Sequence, residues 1–122
     1  MKIAEVSQLY QISADTLRYY ERVGLIPAIE RNKGGIREYS EEDLKHIEFV
    51  KCMRKAGLSI ESLITYFDLM KKGDETLEER KALLLEEREK IETRMKEIQE
   101  SLDHLNYKIS LYDEKIKDSC LK

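Results

Sequence analysis

Four side chains between positions 16 and 22 have the chemistry to contact a phosphate backbone and base edges. They are Thr16, Arg18, Tyr19 and Arg22. Guanidinium groups pair with phosphate oxygens and with bases, while hydroxyl groups donate to phosphate. At 3.6 residues per turn these side chains lie towards one side of a helix, and Leu17 and Gly24 lie on the other. The spacing predicts a helix with a cationic, hydroxyl-bearing face and a packed face.

A helix-turn-helix would position this cationic face. Ser13 is a favourable N-cap, and Asp15 lies in the first turn, where a carboxylate complements the helix dipole. A short helix precedes the turn, with apolar residues at Ile3, Val6 and Leu9. In such a motif the second helix buries one face against the first and presents the other to DNA. Tyr20 lies on the packed side, and two interpretations stay open for it, a core aromatic or a further DNA contact.

A wing-like hairpin is predicted after the second helix. Two short extended segments, 28–31 and 36–39, flank the turn Asn32–Gly35, whose asparagine and glycines tolerate positive φ. Arg37 and Tyr39 would share one face of the second strand because they are two residues apart. The alternative is a surface hairpin whose charge is incidental.

Three more helices are predicted, at about 40–56, 59–72 and 77–118, the first two with serine N-caps. The predicted fold class is mainly α, with a winged helix-turn-helix DNA-binding domain over residues 1–73. Residues 74–122 form the second predicted domain, a long dimerisation helix with a short tail.

The long helix carries an apolar heptad repeat. Thr76 and Glu79 have the spacing of a capping box, and neither Gly nor Pro interrupts the segment that follows. The stripe consists of Leu84, Ile91, Met95, Ile98, Leu102, Leu105, Ile109, Tyr112 and Ile116. A helix of roughly 60 Å would outreach its own small domain, so the stripe should be buried against a second copy. The sequence predicts an obligate homodimer.

Composition excludes several other classes of protein. The 122 residues are 39% charged, with a net charge of −3. Residues 1–72 hold 12 Lys and Arg against 11 Asp and Glu, and residues 73–122 hold 10 against 14. No apolar run suits a membrane span and no signal peptide is evident, which predicts a cytoplasmic protein without a membrane partner. His46 and His104 are isolated and expected to be solvated or to have capping roles. No catalytic or metal-ligand set is visible, so neither an enzyme nor a cofactor is expected.

The motifs TLRYYERVGLI, GIREY, SEEDL and KAGLSIESL occur in that order before the coiled-coil helix. Together they resemble the MerR family of bacterial transcription regulators over nearly the whole chain. The resemblance implies that an antiparallel coiled coil joins two winged domains, and that the dimer binds a palindromic operator at a promoter used by RNA polymerase. It also implies activation by distortion of the DNA when an effector is sensed. The residues it assigns to DNA are Thr16, Arg18, Tyr19 and Arg22 in the helix and Arg37 and Tyr39 in the wing, with Tyr20 as a further candidate.

Cys52 is the candidate sensor residue. The segment EFVKCMRKAGLS around it resembles the thiol-dependent branch of the family, which responds to aldehydes, nitric oxide or related electrophiles as a stress response. Arg54 and Lys55 would favour its thiolate, whereas Glu48 would oppose it. The alternative is that Cys52 is a small buried hydrophobic residue.

Other effectors stay open. Cys120, near the end of the long helix, supplies one thiolate per chain, which is a weak basis for a metal site. In an antiparallel coil it could approach Cys52 of the other subunit. An organic ligand could instead contact aromatic residues, namely Tyr66, Phe67, Tyr107 and Tyr112. A dimeric DNA-binding or scaffold protein that senses nothing is a further alternative.

Overall fold

The computed structural model describes residues 1–121, apart from the side chain of Leu121. Four short helices and one long helix make up this part of the chain. They are α1 (Ile3–Tyr10), α2 (Ala14–Val23), α3 (Glu41–Ala56), α4 (Ile60–Lys71) and α5 (Leu77–Leu121). No helix among the described residues is long and apolar enough to cross a membrane. The mainly α fold class is confirmed.

Local capping residues set the boundaries of the short helices. The side chain of Ser13 accepts a hydrogen bond from the backbone of Thr16, and Ser40 and Ser59 cap α3 and α4 in the same way. Gly24 ends α2 with φ of 84°, a left-handed conformation that strains residues with a Cβ. These caps confirm the predicted starts of α2, α3 and α4, which depend only on residues close in sequence.

An apolar core joins the four short helices and the segment after α2. Its most enclosed side chains are Val6, Leu17, Leu25, Ile26, Ile47, Val50, Leu63 and Phe67. Leu9 shares the helical spacing of Ile3 and Val6 but is exposed near the end of α1. On α2, Leu17 is fully buried, as the sequence predicts.

The segment after α2 is the predicted hairpin in minimal form, with its two arms paired at one bridge instead of along full strands. We call residues 28–39 the wing. Arg31 and Arg37 form an isolated antiparallel bridge, and no longer strand exists among the described residues. The side-chain oxygen of Asn32 accepts from the backbone N–H groups of Gly34 (2.9 Å) and Ile36 (3.1 Å). Backbone bonds from Glu38 to Glu30 and from Asn32 to Ile36, both 2.8 Å, pair the two arms. The predicted strands are too long, because the next N–H groups, those of Ile29 and Tyr39, bond instead to Glu21 and to the Met1 carbonyl.

The predicted capping box at Thr76 is also wrong. Asp74–Thr76 form a 3-10 turn, and the buried Thr76 hydroxyl lies 2.6 Å from the carbonyl of Leu69 and 2.8 Å from that of Gly73. Nε of Arg80 donates to the same hydroxyl at 3.1 Å. The carbonyls of Leu69 and Gly73 already accept from the backbone N–H groups of Lys72 and Thr76, both at 3.1 Å, and the Thr76 hydroxyl adds a side-chain donor at the end of α4 rather than capping the first N–H groups of α5.

The chain divides into two compact units within α5. The first is Met1–Leu85 and the second begins at Glu86. The predicted boundary at 73/74 separates a DNA-binding part from a dimerisation part, and the division by packing does not test it. Within the second unit, seven residues of the predicted stripe are between 47% and 65% exposed. They are Met95, Ile98, Leu102, Leu105, Ile109, Tyr112 and Ile116.

Candidate nucleic-acid interface

Helix α2 presents Arg18 to solvent. Its guanidinium lies 2.9 Å from the carboxylate of Asp15, one turn earlier, and its side chain is 46% exposed. An exposed pair of this kind is worth less than about 1 kcal/mol, so Asp15 orients Arg18 without sequestering it. Arg18 can exchange this partner for a phosphate or a base edge.

Arg22 and Tyr19 form the second part of this surface. The guanidinium carbon of Arg22 lies 5.5 Å from the centroid of the Tyr19 ring. A cation over an aromatic face is attracted to it by roughly 0.5–1 kcal/mol at an exposed site. The contact restricts both side chains, so less conformational entropy is lost when they bind DNA.

Thr16 lies at the beginning of the same helix. Its hydroxyl accepts from the hydroxyl of Ser13 at 2.8 Å, which leaves the proton of Thr16 available for an external acceptor. Tyr20 is half-buried. The structure thus gathers Thr16, Arg18, Tyr19 and Arg22 on α2, as predicted.

Arg37 is not a free cation in this structure. Its Nε donates to Oε1 of Glu21 at 2.7 Å, and the two side chains are only 21% and 16% exposed, respectively. The other carboxylate oxygen of Glu21 accepts from the backbone N–H of Ile29 at 3.2 Å. Sequence reasoning assigned Arg37 to DNA because the chain alone does not reveal a partner 16 residues away.

Tyr39 lies in the core, so the expectation that it presents its hydroxyl beside Arg37 does not fit the structure. It is 3% exposed, and its hydroxyl is buried without a hydrogen-bond partner among the described residues. Burial raises the pKa of this phenol above its usual value. The position before a capping-box serine often carries a residue that packs against the helix, and Tyr39 directly precedes Ser40. That signal pointed to the burial of Tyr39.

Two other cations are exposed on the wing. Lys33 lies in the turn, and Arg31 donates to the carbonyl of Gly35 at 2.9 Å. They are the wing residues best placed to meet phosphate.

Two family models match the chain. The model for MerR HTH family regulatory proteins matches residues 1–69, and the model for MerR, DNA binding, matches residues 44–107. The chain belongs to the MerR family. It is accordingly a DNA-binding transcription regulator and not an enzyme.

Individual MerR relatives agree with this assignment. The HTH-type transcriptional regulator AdhR of Bacillus subtilis (strain 168) is 57% identical over 91 residues, which span 75% of this chain and 65% of AdhR. The chain thus aligns with slightly less than two thirds of the length of AdhR.

Solved MerR structures show the same fold. A MerR family transcriptional regulator from Listeria monocytogenes has a TM-score of 0.91 and 47% identity, covering 97% of this chain and 95% of that one. HiNmlR, a MerR family regulator lacking the sensor domain and crystallised bound to promoter DNA, has a TM-score of 0.84 and 29% identity. That match covers 93% of this chain and 90% of HiNmlR.

The two thiols of this MerR regulator are accessible. Cys52, on α3, and Cys120, near the end of α5, are both free and exposed. The alternative that Cys52 is a buried hydrophobic residue is therefore wrong. Arg54, two residues further on, donates to the carbonyl of Leu58 at 2.6 Å. Residues 1–121 contain no group of three or more His, Cys, Asp or Glu side chains that could hold a metal ion.

His46 belongs to an aromatic cluster on α3 and α4. Its ring meets Phe67 edge-on with centroids 5.3 Å apart, and Phe49 and Tyr66 complete the cluster. The expectation that His46 is solvated is wrong, because its side chain is only 15% exposed. Phe67 is fully enclosed, which removes it from the candidate contacts of an organic ligand.

Proposed function

We propose that this MerR regulator binds a palindromic promoter as a homodimer, with one α2 helix in the major groove of each half-site. The observation that carries the proposal is the group formed by the exposed Arg18 and Arg22 and the half-buried Tyr19 on a helix whose opposite face is packed. A recognition helix needs this division between a packed face and a donor-bearing face.

The apolar stripe of α5 supports the dimer. Seven apolar side chains at heptad spacing are about half or more exposed within one chain. An exposed apolar stripe of this length is favourable only when another helix covers it. A second copy offers a matching stripe, and the two-fold symmetry of the pair would match an inverted repeat in DNA. Antiparallel pairing is the arrangement that the family resemblance implies.

The proposed contact surface differs in part from the sequence-based one. Its helix residues are Thr16, Arg18, Tyr19 and Arg22, with half-buried Tyr20 at the edge, and its wing residues are Arg31 and Lys33. Arg37 and Tyr39 are left out as direct contacts, because one is paired and the other is enclosed.

Selection from a randomised DNA library tests this proposal. The full-length protein should enrich an inverted repeat, and sedimentation equilibrium should show two chains on each selected duplex. A variant carrying both Arg18→Ala and Arg22→Ala should enrich no sequence. Enrichment of a single asymmetric site bound by one chain would contradict the proposal.

Activation is proposed to occur by DNA distortion at a promoter whose elements are too far apart for RNA polymerase. Distortion would realign these elements without dissociation of the regulator. In transcription with purified polymerase, shortening the spacer to the length that the polymerase uses without a regulator should make expression independent of the effector. Persistent dependence on the effector at the shortened spacer would argue against distortion.

The proposed effector is an aldehyde or a related electrophile that reacts with Cys52. The exposure of this thiol on α3 favours the proposal, since a reagent can reach it. Its sulfur would add to the carbonyl carbon of an aldehyde, and the carbonyl oxygen would take up a proton to give a hemithioacetal. Arg54 and Lys55 follow it on the same helix.

Comparison of Cys52→Ala with Cys120→Ala tests this effector, because both thiols are exposed and the chain has no third cysteine. Transcription with formaldehyde or methylglyoxal should be induced by the wild type and by Cys120→Ala, and lost in Cys52→Ala. Both variants must first bind the operator with wild-type affinity. A response that survives Cys52→Ala would favour an organic ligand or a metal. If transcription by the wild-type protein does not respond to thiol reagents, the result would favour a dimeric DNA-binding protein that senses no effector.

A further inference from the structure

We infer that Glu21 is a positioning residue that holds the wing at a fixed distance from the recognition helix α2, and that Arg37 acts as its partner rather than as a DNA contact. The inference rests on the proposed DNA-binding surface, since it concerns how two parts of that surface are held together.

The carboxylate of Glu21 bonds to both arms of the wing. Oε1 accepts from the guanidinium of Arg37, in the arm after the turn, and Oε2 accepts from the backbone N–H of Ile29, in the arm before it. One side chain of α2 therefore fixes two points on either side of the turn that carries Lys33. Neither point alone would prevent rotation of the wing about the other.

Burial makes this contact stronger than the other ion pairs of the DNA-facing surface. Glu21 and Arg37 are less than a quarter exposed, whereas the carboxylate of Asp15, which pairs with Arg18, is 96% exposed. Partly buried, charge-assisted hydrogen bonds are less screened by water and salt than exposed ones. Loss of either partner would leave the other charged and poorly solvated, which favours displacement of the wing.

A fixed wing matters because phosphate contacts set the register of a protein on a duplex. Arg22 on α2 and Lys33 on the wing can meet their phosphates together only when their separation matches the DNA. Holding that separation in the free protein avoids an entropic cost on binding. Without Glu21, the contact of Arg22 should persist while that of Lys33 is lost.

Coupling between substitutions tests the inference. The probe is the duplex recovered by selection with the wild-type protein, and affinity is measured by fluorescence anisotropy over a range of salt concentrations. Lys33→Ala and Arg22→Ala, each removing one exposed cation, are made in the wild type and in Glu21→Ala. Arg22 is a matched control because adjacent helical residues do not face each other.

In the wild type, each single change should weaken binding by roughly five- to tenfold and lower the salt slope by about 0.9, the effect of one lost phosphate contact. In the Glu21→Ala background, Lys33→Ala should change affinity less than about twofold and leave the slope unaltered, whereas Arg22→Ala should keep its full effect. Arg37→Ala should reproduce the behaviour of Glu21→Ala. A general folding defect would weaken all variants alike without removing the effect of Lys33 alone.

Full additivity of Glu21→Ala with Lys33→Ala would overturn the inference and leave the DNA surface intact. If Lys33→Ala changed nothing in the wild type, the wing would leave the proposed interface and the inference would fail with it. Continued binding of the duplex through Arg22 would show that the proposed function survives. Glu21→Gln, which keeps an acceptor but loses the charge, replaces Glu21→Ala if circular dichroism shows that the latter is unfolded.

Discussion

Arg80 donates through Nε to the hydroxyl of Thr76, one helical turn earlier, at 3.1 Å. Nη2 of the same guanidinium lies 3.2 Å from the carbonyl of Gly73, which the Thr76 hydroxyl also approaches. The two side chains therefore satisfy the carbonyl groups where α4 ends and α5 begins. These side-chain bonds add to the backbone hydrogen bonds that Lys72, Gly73 and Thr76 donate at the same junction.

Thr76→Val should destabilise the protein by about 1–2 kcal/mol, because it keeps the shape of the side chain but removes its buried hydrogen bond to a carbonyl and leaves Nε of Arg80 without this acceptor. Thr93→Val is the matched control, since the Thr93 hydroxyl bonds to a carbonyl on the exposed surface of α5. Urea unfolding at one fixed chain concentration measures both. Equal effects of the two changes would contradict the role of Thr76 at the junction.

Tyr39→Phe should leave DNA affinity unchanged and raise the free energy of unfolding by about 1 kcal/mol, because it deletes a buried hydroxyl without a partner. The same chemical change at Tyr19 should weaken DNA binding, since that hydroxyl is a proposed phosphate donor. Anisotropy titration with the selected duplex distinguishes the two positions. Weakened binding by Tyr39→Phe would return Tyr39 to the DNA surface.

The raised pKa of Tyr39 predicts a loss of stability in alkali. Above about pH 10 the unfolded chain releases the phenolic proton while the folded chain keeps it, so the folded state binds more protons. The free energy of unfolding must then fall as the pH rises beyond 10, and below that value this group has no effect on it. Urea unfolding at roughly pH 9 and pH 11 should show a smaller loss for Tyr39→Phe than for the wild type. An equal loss would mean that other groups cause it.

Ile98→Lys should convert the proposed dimer into monomers, because it places a charge in the middle of the apolar stripe. Tyr107→Lys is a matched control, since both side chains are 62% exposed in one chain and Tyr107 lies outside the stripe. Sedimentation velocity should show a dimer for the control and a monomer for Ile98→Lys. A dimer in both cases would contradict pairing through this stripe.

Arg18→Ala should weaken binding to the selected duplex and lower the salt slope by about 0.9, because one phosphate contact is lost. Lys71→Ala removes the same charge from an exposed position at the end of α4, outside the proposed surface, and should leave the slope unchanged. An unaltered slope for Arg18→Ala would remove this residue from the phosphate contacts.

Features fixed by short stretches of chain could be predicted from the sequence. Ser13, Ser40 and Gly24 act on the backbone within a few residues, so their roles follow from residue type and position alone. The heptad stripe could also be predicted, because its period is local and is repeated over several turns. The cationic face of α2 follows from the same helical arithmetic.

Features that depend on distant partners could not be predicted in the same way. Arg37 and Glu21 are 16 residues apart, and only the folded wing brings them together. Tyr39 and Thr76 carry hydroxyl groups that suggest surface or capping roles, yet both are enclosed by tertiary packing. In each case the surroundings of the polar group depend on residues that the fold brings close, and residue type and local spacing do not reveal them.

Because the exposed stripe of α5 is proposed to be covered by a second copy, the amount of dimer depends on the concentration of the chain. In the proposed dimer, when most chains are single, the assembled form grows with the square of the chain concentration. Halving the supply of the protein would then leave about a quarter of the dimer, so operator occupancy would respond steeply to gene dosage. Synthesis and turnover of the chain would thus act on its target promoter as a second input, alongside any chemical signal.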